Sequence, residues 1–254
     1  MPTRPLSEPP FLVEVRLLRD KIKLWDEYPF SLPAVRYVES IRFDRSVTFL
    51  VGENGTGKST LLEALAVGLR YNPEGGSRNF RFSTRASHSS LHAALRLSRS
   101  ARRVRDGFFF RAESYFNVAT EIERLDSEPA PGPPIIASYG GRSLHDQSHG
   151  ESFLALFANR LRGDGLYLVD EPEAALSPTR QLSLLSLIHD LVLKGSQFII
   201  ATHSPILMAY PRSRIFLLTE KKVEEVGYTS TEYFSLTRAF LNDHKTMIRR
   251  LLGE

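Results

Sequence analysis

Gly52-Glu53-Asn54-Gly55-Thr56-Gly57-Lys58-Ser59-Thr60 fits the phosphate-binding pattern G-x-x-x-x-G-K-[ST] at every position. The run before it, Val47-Thr48-Phe49-Leu50-Val51, is apolar and β-branched, as a buried strand requires. The run after it, Leu61-Leu62-Glu63-Ala64-Leu65-Ala66, is rich in strong helix formers. Strand, glycine loop and helix is the context in which the pattern works. Gly52, Gly55 and Gly57 let the backbone bend until successive N–H groups converge on an anion. The helix start adds its dipole and its unpaired N–H groups. Lys58 brings a positive charge to the β- and γ-phosphates, and Ser59 a hydroxyl for Mg²⁺. A glycine-rich turn without a ligand would carry the same letters. The flanking strand and helix favour nucleotide binding, with Asn54, Thr56 and Thr60 completing the cradle.

The chain has 254 residues, enough for one α/β domain or two small ones. Its net charge of +4 is a weak bias, so an argument for nucleic acid must rest on where the charge sits. The absence of cysteine excludes disulfides and thiolate metal sites and fits a reducing, cytoplasmic setting. Met1–Pro10 is proline-rich without an apolar core, unlike a signal peptide. No apolar run approaches the ~20 residues of a membrane span.

Phe11–Leu18 and Ala34–Phe43 read as strands, which with Val47–Val51 suggest a small antiparallel sheet beside the main one. Tyr28 and Phe30 between them are candidates to stack on an adenine; hydrophobic plugs under a loop is the plainer reading. Tyr71–Ser90 turns to Gly, Ser, Asn and Arg and reads as a loop. Leu91–Val104 reads as a basic helix carrying Arg96, Arg99, Arg102 and Arg103, with Arg105 just beyond. This segment, residues 96–105, is either ordinary solvated charge or a contact for nucleic-acid phosphates or an acidic partner. Gly107–Phe110 reads as a strand, interrupted by Arg111–Ser114 before the aromatic Tyr115–Val118. Ser152–Arg162 has helical spacing. Ser177 followed by Pro178 opens a further helix ending at Gly195. Arg214–Leu218 and Lys222–Val226 read as a late strand pair, and Tyr233–Leu252 as terminal helices.

Leu166-Tyr167-Leu168-Val169 ends in Asp170-Glu171, and Gln197–Ala201 ends in Thr202-His203. A carboxylate at a strand end can hold Mg²⁺ through water, the role expected of Asp170. Glu171 beside it can take a proton from attacking water. Strand C-termini line the ligand crevice of a parallel sheet, so Gly52, Asp170 and His203 can all reach one γ-phosphate. A purely structural histidine is the alternative for His203. His145 and His149 share i,i+4 spacing, but no third zinc ligand accompanies them.

Taken together, Gly52–Ser59, Ser148-His149-Gly150-Glu151, Asp170-Glu171-Pro172 and Thr202-His203 resemble an ABC-type ATPase domain. Ser148–Glu151 is similar to the family signature, with His149 in place of a glycine and Glu151 in place of the glutamine. The run Asp170–Pro178 resembles the non-transporter branch, which includes SMC-like repair heads and the overcoming-lysogenization-defect-type ATPases. The resemblance implies a P-loop α/β fold with a mostly parallel core sheet, an N-terminal antiparallel sheet and a helical signature subdomain over about residues 80–160. It also implies ATP and Mg²⁺ as ligands, with Lys58, Glu171 and His203 serving hydrolysis and Ser59 and Asp170 the metal. Ser148 and Gly150 would then contact a nucleotide held by the opposite subunit of an ATP-dependent homodimer. Ser177 stands where many relatives have aspartate. Glu113 is the candidate for the metal-sensing position that the family fills with glutamine. The expected function is an ATPase driving a separate effector in nucleic-acid or defence processes; the alternative is the ATP-binding subunit of a membrane transporter.

Overall fold

Val47–Val51 is buried at all five positions, which places it in the middle of a sheet covered on both faces. The computed structural model describes residues 10–77, 89–112, 115–128, 132–143, 145, 146 and 148–253. The strands are β1 (Leu12–Leu17), β2 (Ser40–Arg42), β3 (Val47–Val51), β4 (Leu95–Arg99), β5 (Asp106–Arg111), β6 (Gly165–Asp170), β7 (Gln197–Ala201), β8 (Arg214–Leu218) and β9 (Val223–Val226). The helices are α1 (Pro33–Tyr37), α2 (Lys58–Gly68), α3 (Tyr115–Ser127), α4 (His149–Arg160), α5 (Pro178–Leu193), α6 (Pro205–Met208), α7 (Glu232–Asn242) and α8 (His244–Leu252).

The central sheet has the order β5-β6-β7-β3-β8-β9. Every pairing in it is parallel except β8 with the charged edge strand β9. Residues of β3 alternate between two cores, as the two-residue strand period dictates. Val47, Phe49 and Val51 join Ile122 of α3, Phe153 and Phe157 of α4, and Leu184 and Ile188 of α5. Leu50 joins Leu61, Leu62 and Leu65 of α2 on the other face. That second core extends to Leu12 and Val15 of β1, so α2 lies between the central sheet and a three-stranded antiparallel sheet, β2-β1-β4. The sheets are also joined by one side chain. Buried Gln197 accepts from Leu12 N and donates to Leu12 O, both at 2.9 Å, replacing a strand partner for that residue.

Three sequence expectations change. Ala34–Phe43 begins as helix, because Pro33 opens α1 and Ala34 N donates to Thr56 O at 2.8 Å, tucking that turn under the glycine loop. Only Ser40–Arg42 of the stretch is strand. The basic segment is no helix: after a 3-10 turn at Ser90–Ala94 it becomes β4, the third strand of the antiparallel sheet, paired with β1. The alternation of Leu95, Arg96 and Leu97 is a strand pattern that arginine's helix propensity masks. Tyr115–Val118 belongs to α3. Among the described residues, the segment from about residue 80 to 160 contributes β4 and β5 to the two sheets, and its α-helices start at Tyr115.

Gln197→Leu removes both partners of Leu12. Each buried group left unpaired costs about 1–3 kcal/mol, so urea unfolding of this variant is expected to show a loss of about 2–6 kcal/mol. An unchanged midpoint would show that the two sheets do not depend on this bond pair.

Candidate functional site

The glycine loop has the shape its letters imply. Gly52, Gly55 and Gly57 have φ of 151°, 81° and 98°. A Cβ on Gly52 would lie 2.1 Å from the Leu218 carbonyl oxygen, so β8 and the loop approach too closely for any side chain. Thr56 is buried and its Oγ1 donates to Glu53 O at 2.8 Å. Asn54 is exposed on the outer lip and Thr60 is half-buried in the first turn of α2. Lys58 is 3% exposed, with Nζ donating to Gly52 O at 2.7 Å and Glu53 O at 3.0 Å. Burial pulls its pKa below the ordinary value, opposed by Glu171, Asp170, Glu173 and Glu53.

Ser59 and Asp170 are brought together although 111 residues separate them: Ser59 Oγ donates to Asp170 Oδ1 at 2.9 Å. Two hard oxygen donors side by side are what Mg²⁺ selects. An arginine that the sequence reading passed over stands against the same carboxylate. Arg111, the last residue of β5, lies 3.5 Å from Asp170 Oδ2 and 3.0 Å from Glu63 Oε2 of α2. A cation closing an otherwise aromatic strand was the available signal.

Glu171 follows β6 in the left-handed region, with φ of 46°, and its N–H donates to Ala201 O at 2.9 Å. Such a backbone is uncommon for a residue with a side chain. His203 Nε2 lies 3.1 Å from Glu171 Oε1, and its Nδ1 lies 2.9 Å from the Tyr233 hydroxyl. The His203 backbone N–H donates to Glu173 Oε1. Glu173 Oε2 is buried with no hydrogen-bond partner. Glu171 and His203, predicted separately, are thus one hydrogen-bonded pair.

Ser148 and Gly150 sit at the start of α4. Ser148 caps α4 and bonds to Glu151, Ser152 and Arg180. Glu151 Oε2 accepts from Ser148 N at 3.1 Å, forming the capping box that a glutamine would also form. These bonds, with Arg180 nearby, hold the Glu151 carboxyl below the usual range. A Cβ on Gly150 would lie 2.5 Å from Arg180 Nη1 and 2.9 Å from Ala175 O. Ser177 accepts from Arg180 N at the start of α5. Glu113 lies outside the described residues. Phe30 packs against the α2 core while Tyr28 is exposed. His145 faces Glu123 and Thr120, and no group of three metal-ligating side chains occurs among the described residues. In the basic segment, Arg99 caps the end of α2 through Gly68 O, and Arg102 bonds to Asp164 and Gly195 O while lying over Phe11.

Two family models match, one described as "AAA domain" over residues 33–123 and one as "AAA domain, putative AbiEii toxin, Type IV TA system" over residues 138–209. A "Putative ABC transporter ATP-binding protein" of Caldanaerobacter subterraneus is 29% identical, over 87% of this chain and 93% of its own. The "Hemin import ATP-binding protein HmuV" of Pseudomonas aeruginosa is 30% identical, over 70% of this chain and 74% of its own. The chain belongs to the ABC-type ATPase family. As such it is an ATP-binding protein that hydrolyses ATP. The solved cbiO1 of Clostridium perfringens, described as part of the ABC transporter complex cbiONQ, has the same fold (TM-score 0.52, 17% identity, 97% of this chain and 100% of that one). These relatives are transporter ATP-binding proteins by description, so the narrower likeness to SMC-like and overcoming-lysogenization-defect-type ATPases is not carried by them. No helix among the described residues of this ABC ATPase is long and apolar enough to cross a membrane.

Arg111→Leu leaves Glu63 and Asp170 without their shared cation. Breaking a largely buried pair costs about 3–5 kcal/mol, and chemical denaturation without nucleotide is expected to show a loss at the lower end of that range. A loss under about 0.5 kcal/mol would mean that the arginine is not part of the site's charge balance.

Proposed function

We propose that this ABC-type ATPase closes head-to-tail around two MgATP molecules and that the closure drives a membrane-transporter partner at the cytoplasmic face. The observation that carries the first part is the separation of the two half-sites. The hydrogen bonds of Ser148 go to its own helix and to Arg180, away from Lys58, Ser59 and Asp170. This supports a phosphate for the N-terminus of α4 that comes from a second copy. The descriptions of the relatives support the transporter as partner.

In this reading Gly52–Thr60 wraps the phosphates and Lys58 turns its ammonium from the loop carbonyls to the β- and γ-oxygens. The Ser59–Asp170 oxygen pair fits a Mg²⁺, which when bound neutralises phosphate charge. Glu171 accepts a proton from water as the water oxygen bonds to the γ-phosphorus and the bond to the bridging oxygen breaks, giving ADP and phosphate. His203 Nε2–H, held beside Glu171, donates to the γ-phosphate. With Glu113 as its candidate, the glutamine position stays a proposal of the same kind.

One observation favours a second reading. The model matched over residues 138–209 is described by a toxin–antitoxin system, which supports the soluble-effector or nucleic-acid role. Within the basic segment Arg99, Arg102 and Arg105 have structural partners, which leaves exposed Arg103 and Arg96 as the residues to test for such a contact.

Lys58→Ala is expected to weaken MgATP binding by about 10–100-fold in calorimetry, the worth of a charge-assisted bond of about 1.5–3 kcal/mol. Glu171→Gln should keep binding but lose turnover, and ATP should convert it to a dimer by light scattering. Ser148→Arg added to it should block that conversion; a mass that ignores saturating ATP would end the two-copy reading. The dimer purified from detergent-solubilised membranes should bring a polytopic membrane protein with it. Recovery of nucleic acid instead, lost in the Arg96→Glu/Arg103→Glu variant, would favour the second reading.

A further inference from the structure

Tyr233 lies beyond both segments matched by family models, yet it touches the site. It sits in the first turn of α7, and two anchors fix that turn. Thr231, fully buried, caps the helix by accepting from Phe234 N at 3.3 Å and donates to Tyr228 O at 2.8 Å. Tyr228 in turn donates its hydroxyl to Pro205 O at 2.9 Å, two residues beyond His203. The start of α7 is therefore tied to the loop that carries the histidine. The Tyr233 ring meets the imidazole edge-on, with centroids 5.5 Å apart and planes at 70°.

A neutral imidazole carries one hydrogen, and the partner of one nitrogen decides where it goes. Nε2 faces the Glu171 carboxylate, which only accepts. A hydroxyl donating to Nδ1 leaves the hydrogen on Nε2, the form that a carboxylate or a phosphate oxygen can accept from. Burial and the carboxylates Glu53, Glu232, Glu171 and Glu173 push the Tyr233 hydroxyl up to about 12, so near neutral pH it keeps its proton to give.

We propose that Tyr233 is a positioning residue for hydrolysis, donating to His203 Nδ1 so that the imidazole holds its hydrogen on Nε2 beside Glu171. The role rests on the reading of His203 as a γ-phosphate contact. Without the hydroxyl Glu171 alone holds the ring, the second tautomer and other ring orientations gain population, and fewer of the closed sites are aligned at any moment.

The test uses the full chain labelled with ¹⁵N, in which long-range nitrogen–proton correlations distinguish the two tautomers for each of the seven histidines. His203→Gln assigns the resonance by its disappearance. Wild-type His203 should show hydrogen on Nε2. In Tyr233→Phe, which keeps the ring, its two nitrogen shifts should move toward averaged values. At the same time kcat should fall about tenfold, the worth of one hydrogen bond, with KM for ATP within about twofold. Wild-type His203 carrying its hydrogen on Nδ1 overturns the proposal whether or not the variant folds. So does a Tyr233→Phe protein with unchanged shifts or full turnover. Should His203→Gln hydrolyse ATP at the wild-type rate, the role of His203 itself fails, a result separable from the tautomer measurement.

Discussion

The Ser59–Asp170 hydrogen bond joins the first turn of α2 to the end of β6 across the intervening strand β7. Everything acidic in the site is grouped around it. Asp170, Glu171, Glu173 and Glu53 all act on Lys58, and Arg111 adds a second cation against Asp170 and Glu63. Charges at this depth persist only when paired, since each unpaired one loses several kcal/mol of hydration. The carboxylates named here outnumber the two cations, and a bound nucleotide with its metal takes over contacts that Lys58, Ser59 and Asp170 now make with the protein.

The fold supplies the setting for these charges. Parallel strands β3, β6 and β7 end on the same side, so the glycine loop, Asp170-Glu171 and His203 emerge side by side. Apolar packing on both faces leaves these strand ends little freedom. On one side α2 is held between two sheets. On the other, Phe110 stacks on Phe157 with centroids 4.2 Å apart, fixing α4 and hence the signature segment against β5. The rigid body carries one half-site at the strand ends and the other at the start of α4.

Much of this was legible in the sequence because the information was local. An apolar run ending in Asp170-Glu171, or in Thr202-His203, states both strand and site in a few letters. The failures share one cause: the deciding partner lay far along the chain. Ala34–Phe43 looks extended by its valines and isoleucine, but a helix forms there because Ala34 N finds Thr56 O. Arg96 and Arg99 suggest helix until β1 is available to pair with them. Arg111 and Tyr233 carry no motif, and only the assembled fold shows that each touches a residue of the site, Asp170 in one case and His203 in the other. The helical spacing of Ser152–Arg162 was local too, and α4 begins three residues earlier, at His149, because Ser148 caps it.

The position of β3 at the centre of the sheet has a bearing on how the protein is made. Its strand ends at residue 51, while its two neighbours begin at residues 197 and 214. At ~5–20 residues per second of synthesis, the phosphate-loop strand leaves the ribosome on the order of ten seconds before either neighbour exists. In the first part of that interval, before α3 and α4 are made, the antiparallel sheet and α2 are the structure the chain can build nearby, burying Leu50 but leaving Val47, Phe49 and Val51 uncovered. Nascent chains of this protein are therefore expected clients for chaperones that shield apolar strands until the second half of the sheet arrives.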